Sequence, residues 1–119
     1  MTTVNRSANC GNSPKNKMVE NIAVAMEAKD TEFLSDVLDP ETVWNDGIAS
    51  LTSAEQILSQ VSSRSGPDTV TIDHAMSHGK VGAVNGISIN GEIEQRFCYV
   101  IEFTSTKCNR VRRLESYRG

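Results

Sequence analysis

The sequence holds little of what usually announces a function. Aromatic side chains make up 5% of its 119 residues: one tryptophan, two tyrosines and three phenylalanines. No aromatics interleave with basic residues, so a base-stacking surface for nucleic acid is not expected. Cys10, Cys98 and Cys108 are an odd number without metal-ligand spacing, which excludes a disulfide framework and predicts reduced thiols. The two histidines, His74 and His78, have no clustered carboxylates around them, so no metal is expected, and no cofactor. G-x-S-x-G, a phosphate loop, C-x-x-C and H-E-x-x-H are all missing. The apolar runs are far too short to cross a bilayer, so no membrane partner is expected. The opening stretch MTTVNRSANCGNSPKNK lacks the apolar centre of a secretory signal, which makes the cytoplasm the expected location.

The net charge of −3 is unevenly spread. Basic residues gather before Met18 and again at Lys107, Arg110, Arg112, Arg113 and Arg118, while the middle is acidic. A basic strand can meet phosphate. Here Glu115 interrupts it, and a solvated face pairing with nearby carboxylates is the simpler expectation.

What remains is patterning, and it is clear. The length fits one domain with a real core. Residues 1–12 read as a flexible polar tail and 13–119 as the domain. Ser13-Pro14 predicts a helix start, with Met18, Ile22 and Met26 recurring every four residues. After a polar break at Lys29, Asp30 or Thr31 caps a second helix carrying Phe33, Leu34, Val37 and Leu38, which Asp39-Pro40 stops. Thr42 to Asn45 reads as a short strand and Asp46-Gly47 as a turn. Thr52 and Glu55 form a capping-box pattern before a third helix with Ile57, Leu58 and Val61.

The remainder alternates with a period of two. Val70, Ile72, His74 and Met76 share one strand face. Asn90-Gly91 predicts a type I′ hairpin turn between strands Lys80–Ile89 and Glu92–Phe103, with Ile89 opposite Glu92. A further strand runs from Arg110 to Tyr117. That register puts Val84, Ile93, Phe97, Tyr99, Ile101 and Phe103 on one apolar face, with Gly82 opposite Tyr99, and this face is expected to cover the helices. The other face carries Val81, Ala83, Ile87, Cys98 and Val100, with Asn85 opposite Arg96. It is too apolar for bare solvent and no helix is left to cover it, so a homodimer through this face is expected.

The segment AMEAKDTEFLSDVLDPETVWNDG, the helix SAEQILSQV, VGAVNG, FCYVIEF and VRRLESY, in this order, resemble the nuclear transport factor 2-like, or SnoaL-like, superfamily over Lys17 to Tyr117. The resemblance implies an α+β fold: a strongly curved mixed or antiparallel sheet wrapped around three helices, a cone with a pocket. It implies a small apolar ligand, and it spans isomerases, cyclases, dehydratases and scaffolds, so it does not choose among them. Resemblance to the steroid isomerases places a general base at Asn45 or Asp46 and an oxyanion donor near Tyr99, while their donor tyrosine falls on Ile22.

His74 is expected to point into the cone within reach of Asp46, as an acid/base pair. Trp44, Met26, Phe97 and Tyr117 are the expected ligand-binding residues. Three functions stay open: a small-molecule-binding protein, an acid/base enzyme acting through Asp46, His74 and Tyr99, and a dimeric interaction module with a vestigial pocket. A cavity filled by Trp44, Met26 and Phe97 favours the last, and convergence of Asp46, His74 and Tyr99 favours the second.

Overall fold

The structure is a computed structural model that describes residues 2–7 and 13–119. Cys10 and the rest of the stretch 8–12 lie outside the described residues. The elements run β1 (Thr3–Asn5), α1 (Pro14–Ala28), α2 (Thr31–Val37), β2 (Leu38–Asn45), β3 (Ser50–Leu51), α3 (Ala54–Ser62), β4 (Thr69–His78), β5 (Val81–Asn90), β6 (Ile93–Phe103) and β7 (Val111–Arg118). One open seven-stranded sheet has the order β1-β4-β5-β6-β7-β2-β3. It is mixed: β1 lies parallel to β4 and β2 parallel to β7, while the other pairs are antiparallel. This is the expected α+β cone architecture.

The local chemistry explains the helices. Ser13 caps α1 by accepting the Asn16 N–H at 3.2 Å, with Pro14 in the first turn. From Val19 to Glu27 every residue but Asn21 is buried, because α1 is enclosed by the sheet and the other helices. Fully buried aliphatic side chains such as Ile22 and Met26 each contribute about 1.5–3 kcal/mol. Lys29, at φ 64°, ends the helix in the left-handed conformation. Asp30 then caps α2 through the Phe33 N–H at 3.1 Å.

Five expectations need correction. Thr3–Asn5, assigned to the polar tail, forms the edge strand β1 in register with Thr69–Thr71. The strand expected at Thr42 already begins at Leu38, and Asp39-Pro40 falls within its irregular stretch. Proline is tolerated there because the ladder is already interrupted. The cap of α3 is Ser53, not Thr52: it accepts the Gln56 N–H, and Gln56 Oε1 accepts the Thr52 N–H in return.

The hairpin turn is shifted as well. Asn90 pairs with Ile93, so Gly91 and Glu92 are the two turn residues. Gly91 has φ 63° and Glu92 has no positive φ, the φ pattern of a type II′ turn, and Asp68 Oδ2 anchors the Gly91 N–H at 2.8 Å. The shift is two residues, so Gly82 faces Ile101 and Asn85 faces Cys98, while every side chain keeps its expected sheet face.

The fifth correction has the largest effect. In β4 the pairing slips between Ile72 (opposite Gly86) and His74 (opposite Asn85), leaving Asp73 as the extra residue of a bulge. The inward set changes there from Val70 and Ile72 to Ala75. His74 is therefore on the outer face, where Nδ1 lies 3.1 Å from Asn85 Oδ1, and Met76 is 58% exposed beside it.

Candidate functional site

The interior of the cone is filled. Met26, Trp44, Phe97 and Tyr99 are all buried there, packed with Ile22, Ile57 and Leu114. Trp44 comes in on β2 and its Nε1–H donates to Ser116 Oγ at 2.9 Å, which satisfies the one polar atom of the ring. Phe97 and Tyr99 lie on β6 with ring centroids 5.7 Å apart. Among the described residues these form the hydrophobic core of the cone.

The three expected catalytic residues do not meet. Asp46 is exposed in the loop after β2, where its Oδ1 accepts the N–H groups of Ala49 and Ile48, both at 2.9 Å. Those backbone bonds hold its carboxyl below the ordinary carboxylate range. His74 is outside the cone, as the β4 bulge requires. Tyr99 alone is inside. Tyr117, expected to touch the ligand, is 55% exposed on the outer face opposite Cys98.

Tyr99 reveals a site that sequence reading missed. Its phenol donates a short hydrogen bond to Glu27 Oε2. Glu27 lies on the last turn of α1 and its side chain is 2% exposed. Arg118, on β7, grips it with two parallel bonds, Nη1 to Oε2 at 2.8 Å and Nη2 to Oε1 at 2.7 Å. Arg118 Nε also donates to Gln95 Oε1 at 2.9 Å. Arg64, in the loop after α3, brings Nη1 to 3.8 Å from Glu27 Oε2. Its guanidinium carbon stands 5.0 Å from the centroid of Trp44. Burial first, and then the Glu27 carboxylate, push the Tyr99 phenol above its ordinary value, while the hydrogen bonds to Glu27 raise Arg118 further.

This cluster floors a cleft of about 310 Å³ at the mouth of the cone. Ser65 and Pro67 form one wall, Ser88, Asn90, Ile93 and Gln95 the other. Glu27 accepts from three donors, leaving about one of the roughly four acceptor sites of a carboxylate. It is a clamped anion that shapes the floor, and it is poorly placed to abstract a proton. No group of three or more His, Cys, Asp or Glu suited to a metal exists among the described residues.

One signal for this site was present in the sequence. Glu20 and Glu27 are seven residues apart and so share one stripe of a helix that is otherwise apolar. Both are buried, and both are satisfied: Glu20 accepts the Ser7 N–H at 2.7 Å, with Arg6 Nη1 3.6 Å away.

No family model and no curated protein matches this chain. Solved structures do. An NTF-2-like protein of unknown function from Burkholderia xenovorans superposes with a TM-score of 0.74 at 14% identity, covering 88% of this chain and 83% of that one. A protein named as a SnoaL-like polyketide cyclase, from Shewanella putrefaciens, gives 0.71 at 13% identity, over 92% and 83%. A LEH-like epoxide hydrolase from M. tuberculosis gives 0.67 at 18% identity, over 88% and 82%. The chain thus has the NTF2-like, SnoaL-like cone fold. At these identities the likeness is one of architecture, and the chemistry has to be argued from this chain's own residues.

Proposed function

We propose that this chain is a small-molecule-binding protein whose site is the cleft at the mouth of the cone. The carrying observation is the contrast between the two candidate places. The centre is packed with Trp44, Met26 and Phe97, whereas the mouth is an open cleft of mixed polarity floored by a doubly hydrogen-bonded ion pair. A pre-formed concavity with a few convergent polar groups is the usual form of a ligand site. Its lining mixes charged, polar and apolar groups, so it suits a ligand that joins a polar head to an apolar body, and not a wholly apolar one. The acid/base alternative is weaker, since Asp46 and His74 stand apart from Tyr99 and Glu27 is clamped. Screening a metabolite mixture by ligand-observed NMR tests the reading. Hits should lose binding to Ser65→Trp, which narrows the cleft from an exposed rim position. No hits, or hits that bind the variant equally well, would refute it.

We further propose that the outer sheet face joins two copies of the chain. Met76, Ala83 and Val100 lie side by side across β4, β5 and β6, flanked by Val81, Ile87 and Cys98. Beside them is a hollow of about 210 Å³ lined in part by His74, Met76 and Ala83. The outward row of β6 runs Glu94, Arg96, Cys98, Val100, Glu102, with Arg96 and Glu102 on either side of Cys98 and Val100. A twofold axis between Cys98 and Val100 sets Arg96 against Glu102 of the second copy, two complementary contacts across the axis. Four strands about 4.8 Å apart and about ten residues long span roughly 600 Å² in projection. That is close to the roughly 800 Å² per partner of a stable interface. Sedimentation at micromolar concentration should give a dimer, and Ala83→Arg a folded monomer. A monomeric wild type would refute this proposal and leave the cleft reading intact.

A further inference from the structure

The cleft is lined by three charged side chains, Glu27, Arg64 and Arg118. Arg118 and Glu27 neutralise each other through two hydrogen bonds, and Gln95 takes the remaining Arg118 nitrogen. One positive charge, Arg64, is left over.

Arg64 is unlike Arg118 in its bonding. An arginine has five N–H donors in a planar fork. Among the described residues the Arg64 side chain makes a single hydrogen bond, a long one of 3.4 Å from Nη1 to the Met26 carbonyl. Its contact with Glu27 is 3.8 Å, beyond hydrogen-bond reach. What positions it is the Trp44 ring, 5.0 Å from the guanidinium carbon. The side chain is 24% exposed and stands on the cleft wall. A guanidinium held against an aromatic ring, with most of its fork unused and open to a cleft, is built to receive a flat anion.

The rest of the lining narrows the choice. Pro67 and Ile93, the latter 72% exposed, add apolar surface to the cleft lining. Ser88 and Asn90 offer a hydroxyl and an amide further along the wall. The volume is at the lower end of the range of roughly 300–1,000 Å³ for ligand pockets. We propose that the cleft takes a small organic carboxylate, its carboxylate on the Arg64 fork and its compact apolar body against Ile93 and Pro67. This rests on the reading of the cleft as the ligand site.

The chain contains its own reporter. Trp44 is the only tryptophan and Arg64 lies over its face, so a ligand that engages Arg64 changes the surroundings of the one indole. Benzoate serves as the carboxylate probe, benzamide as its uncharged match and inorganic phosphate as the competing anion. Each is titrated to roughly 10 mM by tryptophan fluorescence and by calorimetry. Benzoate should bind saturably and benzamide should not. Arg64→Gln should weaken benzoate about tenfold or more, the loss expected for a charge-assisted, two-pronged bond. Arg64→Lys, which keeps the charge without the fork, should fall between. Circular dichroism checks that both variants fold, since the long bond to Met26 is their one backbone tie.

Equal binding of benzamide and benzoate would overturn the carboxylate assignment and leave the cleft reading standing. Binding of phosphate in place of benzoate would also overturn it. Silence from all three probes overturns the assignment, and the NMR screen then decides separately whether the cleft binds anything.

Discussion

Substituting the Glu27–Arg118 pair gives a result that depends on which partner is removed. Glu27 is 2% exposed and Arg118 27% exposed. Removing one partner of a buried pair costs about 3–5 kcal/mol, because the other is left charged and unpaired. For Glu27→Gln the orphan is Arg118, whose partial exposure lets water take over, so the cost should sit near the lower end, about 3 kcal/mol. For Arg118→Gln the orphan is the buried carboxylate, with Tyr99 still bonded and Arg64 only at 3.8 Å, so the cost should be larger, about 4 kcal/mol. The double variant should cost about 2 kcal/mol less than the sum of the two, since neither charge is then stranded. Urea unfolding with unchanged slope measures these differences. In a thermal melt each kcal/mol should correspond to about 4 °C for a chain of this size. A coupling below about 0.5 kcal/mol would refute the reasoning, because that is the value of a solvent-screened surface pair.

A second prediction concerns alkaline pH. Burial and Glu27 raise the Tyr99 phenol above its ordinary value, so above about pH 10 the unfolded chain loses this proton while the folded chain keeps it. Stability should therefore fall as pH rises through that range, and Tyr99→Phe should flatten the decline in a pH series of urea melts; an unchanged slope would count against the buried hydrogen bond. A third concerns Gly86, where an added Cβ would overlap the Thr71 carbonyl oxygen and the Phe97 ring. Gly86→Ala should destabilise by about 1–3 kcal/mol in the same assay, and a neutral result would show that β4 and β5 are further apart than described.

How far the sequence foretold the structure depends on whether an error was even or odd. The hairpin turn was misplaced, yet every face survived, because the pairing moved by two residues. A single extra residue in β4 inverted the face of His74 and removed it from the interior. Asp73, a residue rarely favoured in mid-strand, was the local hint that alternation would break there. The caps of α1 and α2 were legible because each is a contact between residues three apart, as at Ser13 and Asn16, while the α3 cap fell one residue later than expected, at Ser53. The cleft was not: Glu27 stood out on an apolar helix, but Arg64 and Arg118 look like solvated charges, and nothing local ties the three together. Their meeting depends on how β7 and the loop after α3 are brought to the end of α1.

The place of β7 in the sheet has a kinetic consequence. It lies between β6 and β2, so β2 and β3 join the rest of the sheet only through it. Its bonds to earlier elements span long stretches of chain: 69 residues from Thr42 to Val111, 72 from Trp44 to Ser116 and 91 from Glu27 to Arg118. Each closes a large loop, whose entropy is spent before the contact returns anything. The antiparallel run from β4 to β6 can pair locally, but the cone cannot close until β7 arrives, which places this chain among the slower folders for its length. Release of β7 would in turn bare two inner strand edges at once, the edges of β6 and β2, and these are templates for pairing with other chains. How long the native state persists, and what it becomes when it fails, is thus set largely by one eight-residue strand.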